Sequence, residues 1–178
     1  MNVIIEETFG KLLGIPSWGV KQGHGSFLTF EFGQPFLEVG EVLDHADRPQ
    51  FPATRSRLVY VHGEWHLWVY CCSWVIQHED KSIAHSESPR EAIQIACSVL
   101  NGQSLTAVEV RPATGTTEFT FDLGGRLETS GEGYEKTDTS WMLFRPDRRT
   151  FSYRSDGYYS LAESSTSTGG EWGPIPDA

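Results

Sequence analysis

The stretch from Arg57 to Ile76 limits the choice of fold more than any other, because apolar and aromatic side chains recur through it without the spacing of a helix. Successive side chains of an extended chain point to opposite faces, and Val, Tyr and Trp suit a pleated, half-buried surface. The pattern predicts two long strands, Arg57–Val61 and Trp65–Ile76, joined at His62-Gly63-Glu64, with Gly63 in the first central position of a type II′ hairpin turn. Leu58, Tyr60, Trp65, Leu67 and Val69 then share one face, and Val59, Val61, His66, Trp68 and Tyr70 the other. Two apolar faces mean a central strand pair covered on both sides, or a sheet with one face used for binding.

Around this pair the chain alternates turn signals with short apolar runs. A first helix is expected near residues 4–13, where Ile5, Phe9, Leu12 and Leu13 share a face before Gly14 and Pro16. A Gly-rich turn from Gly19 to Gly25 leads to a strand over Ser26–Phe32, which Gly33-Gln34-Pro35 ends before a second strand at Phe36–Val42. Asp44–Thr54 reads as an exposed loop. Ser88-Pro89-Arg90-Glu91 predicts a second helix over 89–101, with Ser88 as cap, Ala92, Ile95, Ala96, Val99 and Leu100 as its buried stripe, and Asn101-Gly102 as its end. Further strands are expected at Leu105–Arg111, Thr116–Asp122, Arg126–Thr129, Trp141–Arg145, Thr150–Arg154 and Tyr158–Ala162. The expected class is α+β: a mostly antiparallel sheet of about eight or nine short strands with two helices. Residues 1–163 form one domain in this reading, and the Ser-, Thr- and Gly-rich 164–178 a flexible tail, with Trp172 and Ile175 out of place in it.

A formal charge of −10 argues against a nucleic-acid partner, since phosphate binding draws its affinity from Lys and Arg that displace counterions. Residues 1–89 hold 6 Lys+Arg and 11 Asp+Glu, so half of the excess lies in each half of the chain. The opening residues Met1–Glu7 lack the basic and apolar regions of an export signal, and no apolar run reaches the ~20 residues of a membrane span. A cytoplasmic protein that does not meet membranes is expected. Cys71, Cys72 and Cys97 are read as reduced thiols, the adjacent pair being poor geometry for a bridge.

His62-Gly63-Glu64-Trp65-His66 sets three ligand-type side chains within five residues. On an unbroken strand all three would share a face; a turn at Gly63 sends the histidines to opposite faces, so no metal role is assigned and no cofactor is expected. His24, between Gly23 and Gly25, would serve as a base with a carboxylate nearby, Glu31 and Glu64 being the candidates. Cys72 is the nucleophile candidate. No phosphate-binding glycine loop is present. The densest feature is aromatic, with Trp65, Trp68, Tyr70 and Trp74 inside ten residues, a composition suited to a contact surface.

Trp18-Gly19, Gly23-His24-Gly25-Ser26-Phe27, His62 to Trp68, Phe121 to Leu127, Trp141 and Asp156-Gly157-Tyr158 together resemble small acidic bacterial proteins of the toxin-immunity kind. That resemblance implies a protein that works by occluding a partner and carries no catalytic residues. The expectation is therefore a non-enzymatic domain that docks a more basic protein through Glu38, Glu41, Glu64, Trp65, His66 and Trp68, with Asp44 and Asp47 at the rim. The alternative is a small hydrolase in which His24, His62, Glu64 and His66 converge, with or without a metal. Self-assembly through a sheet edge is a third reading.

Overall fold

Two antiparallel sheets and two helices make up the computed structural model, which describes residues 2–44, 55–164 and 170–176. The helices are α1 (Val3–Phe9) and α2 (Arg90–Leu100); the strands are β1 (Ser17–Gln22), β2 (Leu28–Asp44), β3 (Arg55–Val69), β4 (Ser73–His78), β5 (Lys81–His85), β6 (Leu105–Arg111), β7 (Thr116–Phe121), β8 (Gly125–Ser130), β9 (Thr139–Phe144), β10 (Arg149–Arg154), β11 (Tyr158–Glu163) and β12 (Gly173–Pro174). One sheet runs β1-β2-β3-β9-β10-β11-β12 and the other β5-β4-β8-β7-β6. The α+β class and the dominance of antiparallel sheet are as expected; the twelve strands among the described residues exceed the expected eight or nine.

The core lies between the sheets. Phe30 of the first stacks at 6.2 Å on Phe121 of the second, and Trp141 lies 5.8 Å from Phe119 and 5.7 Å from Phe9 of α1. Trp141 is wholly buried and its Nε1–H donates to the Thr117 Oγ1 at 3.0 Å, so the one polar atom of the ring is satisfied inside the core. The α2 helix packs on β1, β5, β4 and β8. Its buried residues are Ile93, Ala96, Cys97 and Leu100, so the stripe is rotated from the expected one and Ile95 faces solvent. Ser88 does not cap it: the Ser88 hydroxyl accepts from the His85 backbone N–H instead. The first helix stops at Phe9, short of the expected 13.

Two predicted turns are absent and a third is shorter than expected. Gly33-Gln34-Pro35 does not end a strand, and β2 continues through it to Asp44 with a bulge between Phe32 and Pro35. Gly33 takes φ +76, the left-handed backbone that a bulge of this kind requires and glycine supplies at least cost. His62-Gly63-Glu64 is no hairpin either; β3 passes straight through it. The predicted strand Trp65–Ile76 is instead two, because the chain leaves the first sheet at Tyr70–Cys72 and enters the second as β4. The Gly-rich stretch after Ser17 is strand β1 as far as Gln22. Of the expected exposed loop, Asp44 closes β2 and residues 45–54, Asp47 with them, lie outside the described residues. Part of the expected tail is structured: β12 pairs with β11, Ile175 is buried, and the Arg154 guanidinium lies 4.6 Å over the Trp172 ring.

Among the described residues, β2 and β3 pair only with each other beyond the bulge. The β1 ladder covers β2 over residues 28–32, and the β9 ladder covers β3 over residues 66–69, while the β2–β3 register runs on from Pro35↔Gly63 to Asp44↔Arg55. Ten residues of β2 thus extend as a two-stranded arm, about 30 Å long at strand rise.

Candidate functional site

At the root of this arm the sequence brings a carboxylate between two imidazoles. Antiparallel register places Glu31 opposite His66, and the extra residue of the Gly33-Gln34 bulge switches the parity of β2, so that Phe36 and its partner His62 lie on the same face as Glu31 and His66. The unbroken β3 does the rest, since residues 62 and 66 share a face when no turn separates them.

The resulting cluster is close-set. His66 Nδ1 lies 2.7 Å and His62 Nδ1 3.3 Å from Glu31 Oε1, and the Gly63 backbone N–H donates to Oε2 at 2.9 Å. The two rings meet edge-on at 5.4 Å, and His62 Nε2 stands 3.3 Å from Glu38 Oε2. Glu31 is only 3% exposed. Burial pushes its carboxyl upward, but the His66 hydrogen bond, the Gly63 N–H and the nearby imidazoles outweigh that, and it is held below the usual range. A buried carboxylate is tolerated because it is surrounded by donors.

Two depressions open on either side of the histidines. One, of about 380 Å³, is lined by Phe36, Glu38, Glu64, Phe144 and Arg145 together with His62, His66 and Trp68. The other, of about 390 Å³, adds Lys21, His24, Phe27 and Tyr70 to the same three residues and Glu31. Phe27, Trp68 and Tyr70 pack against one another along this face, with ring centroids 4.4–6.3 Å apart.

The expected contact residues divide. Glu38 and Glu41 are exposed on the arm, and Trp68 and His66 are half-buried on the outer sheet face. Trp65 is not a surface residue: it shares its expected face with Leu67 and Val69, opposite His66 and Trp68, and that face is the one turned into the core, which leaves Trp65 7% exposed. Glu64 lines one depression with His62 and His66, but its Oε2 accepts from the Gln34 backbone N–H at 3.1 Å across the bulge instead of joining the cluster. Glu31 holds the place expected for Glu64, and His24 shares a depression with His62 and His66. Cys72 is wholly buried, its Sγ–H donating to the Ser140 carbonyl, and burial pushes its thiol up to about 12, which removes it as a nucleophile at neutral pH.

Sequence reasoning did not identify the arm. Among the described residues, nine of the fourteen exposed large apolar side chains lie on it: Phe36, Leu37, Val39, Val42, Leu43, Leu58, Val59, Tyr60 and Val61, each 42–65% exposed. Leu37 stands opposite Val61 and Val39 opposite Val59, so one face of the arm is wholly aliphatic near its root; Phe36, Glu38, Tyr60 and His62 make the other. The signal was the apolar character of both faces in residues 57–61, already open to a binding role.

The chain matches no protein-family model, no curated protein and no solved structure. No helix among the described residues is long and apolar enough to cross a membrane.

Proposed function

We propose that the protein is a non-enzymatic docking domain whose β2–β3 arm seats in a more basic partner protein, in the manner of immunity or accessory proteins that work by occlusion. The observation that carries this reading is the concentration of exposed aliphatic and aromatic side chains on the arm, on both of its faces. Contiguous apolar surface of this kind marks an interaction site, and a two-stranded ribbon without a third strand is marginally stable in water on its own. A charge of −10 favours a basic partner and speeds encounter with it. Glu38 and Glu41 keep their expected place in the contact set; Leu37, Val59, Tyr60 and Val61 take the place of Trp65.

The test is a capture experiment on lysate of the source organism, comparing the native chain with a Leu37→Asp/Val61→Asp double variant at low and high salt. The expected result is one basic protein retained by the native chain at low salt, lost at high salt and lost with the variant, whose melting temperature stays within a few degrees of the native value because both side chains are exposed. Equal retention by the variant overturns the arm as the contact surface. A native chain that sediments as a dimer, and a variant that sediments as a monomer, would assign the arm to a second copy instead.

A further inference from the structure

We propose that Glu31, His62 and His66 form a binding site for one divalent transition cation of the zinc class, held at the root of the arm. The carboxylate oxygen and the two imidazole nitrogens lie within 4.8 Å of one another. Donor atoms around a tetrahedral zinc at about 2.0–2.1 Å stand roughly 3.3 Å apart, so the 3.3 Å separation from Oε1 to His62 Nδ1 fits as it stands and the 2.7 Å separation to His66 Nδ1 must open by about 0.6 Å to accept an ion.

Three features go beyond proximity. Glu31 Oε2 is fixed by the Gly63 N–H, which aims Oε1 at the histidines before any ion arrives. His62 turns its second nitrogen to the Glu38 carboxylate, the outer support by which metal-binding imidazoles are oriented and made more basic. Both histidines line the depressions on either side, which gives an ion a way in and leaves room for further ligands from water or substrate. Two imidazoles and one carboxylate suit zinc, cobalt, nickel or ferrous iron; calcium and magnesium prefer oxygen throughout. The site departs from the expectation of no metal role, and the cause is the continuity of β3, which puts His62 and His66 on one face and supplies Glu31 from the neighbouring strand.

The proposal is independent of the docking reading, since it is tested on the purified chain alone. Zinc chloride is titrated calorimetrically into metal-stripped protein, with magnesium chloride as control, and cobalt chloride is followed by its visible absorption. The expected result is one zinc per chain at micromolar affinity, no magnesium binding, and intense cobalt bands of a four- or five-coordinate ion. His62→Ala and Glu31→Gln are expected to weaken zinc binding at least tenfold, and Glu38→Gln to do so about tenfold. His62 lies at the half-exposed edge of the cluster, so circular dichroism of His62→Ala separates loss of the site from loss of the fold. The absence of zinc binding at 100 μM metal (~100 times the expected dissociation constant) overturns the site, as does stoichiometric binding that all three variants leave unchanged.

Discussion

Trp65 and Trp68 are three residues apart on one strand and have different fates, the first in the core and the second half-buried on the outer face beside Tyr70. The difference is parity along an extended chain: Trp65 lies on the Leu67 and Val69 face that packs into the core and Trp68 on the His66 and Tyr70 face, whereas the expected contact set takes one tryptophan from each. The thiols show how environment sets reactivity for one residue type. Burial raises Cys72 to about 12 and Cys97 to about 11; Cys71 is raised as well, by burial and the nearby Asp138 charge, but it is only half-buried and open to reagent. At pH 8 the two buried thiols are ionised to roughly one part in ten thousand and one in a thousand, and both are shielded. An Ellman titration of the native protein at pH 8 is expected to count one fast-reacting thiol, Cys71, and three after addition of denaturant. As pH rises toward 11, the native-state reaction of Cys97 is expected to accelerate before that of Cys72.

The arm and the sheet it leaves are one pair of strands under two regimes. Over residues 28–32 and 66–69 each strand has a second neighbour; beyond the bulge neither has one among the described residues. Backbone hydrogen bonds in the arm are expected to open locally, and amides of residues 36–44 and 55–61 to exchange at least about tenfold faster than those of 65–69 by mass spectrometry. Gly63 is the joint between the regimes. A Cβ there would press on the Phe32 backbone N at 2.8 Å and on the Phe32 carbonyl, atoms that cannot move aside without shifting the ladder. Gly63→Ala is therefore expected to destabilise the protein by about 2–3 kcal/mol in urea unfolding, and to weaken the Gly63 N–H contact that aims Glu31. The element boundaries of β6, β7, β10 and β11 were legible because turn residues and alternation agreed there; β2 and β3 were not, because Gly33 and Gly63 carry turn chemistry that a long strand partner converts into a bulge and a close approach.

At the scale of the whole molecule, the two sheets close on one core, and the chain's last described residues help to close it. Ile175 is buried, its backbone N–H donates to the Gly157 carbonyl at 2.8 Å, and Asn2 of the N-terminal segment donates to the Pro176 carbonyl. Removing residues 170–178 is expected to cost about 2–3 kcal/mol from the uncovered Ile175 alone, or a fall of about 5–10 °C in melting temperature by calorimetry, although composition marks the segment as tail. An unchanged melting temperature would leave Ile175 without a structural role.

What the sequence determined by itself was local and compositional: the α+β class, the second helix and most short strands, the acidity, and an aromatic run too apolar on both faces for an ordinary strand pair. These follow from period, capping and turn chemistry within a few residues. Only the tertiary structure decided that Gly33 and Gly63 are a bulge and a strand interior, that the strands between them outrun their sheet as an apolar arm, and that Glu31 meets His62 and His66. The physical reason is that a strand's register and the face its residues occupy are set by a partner strand far away in sequence, and one added residue reverses every face beyond it.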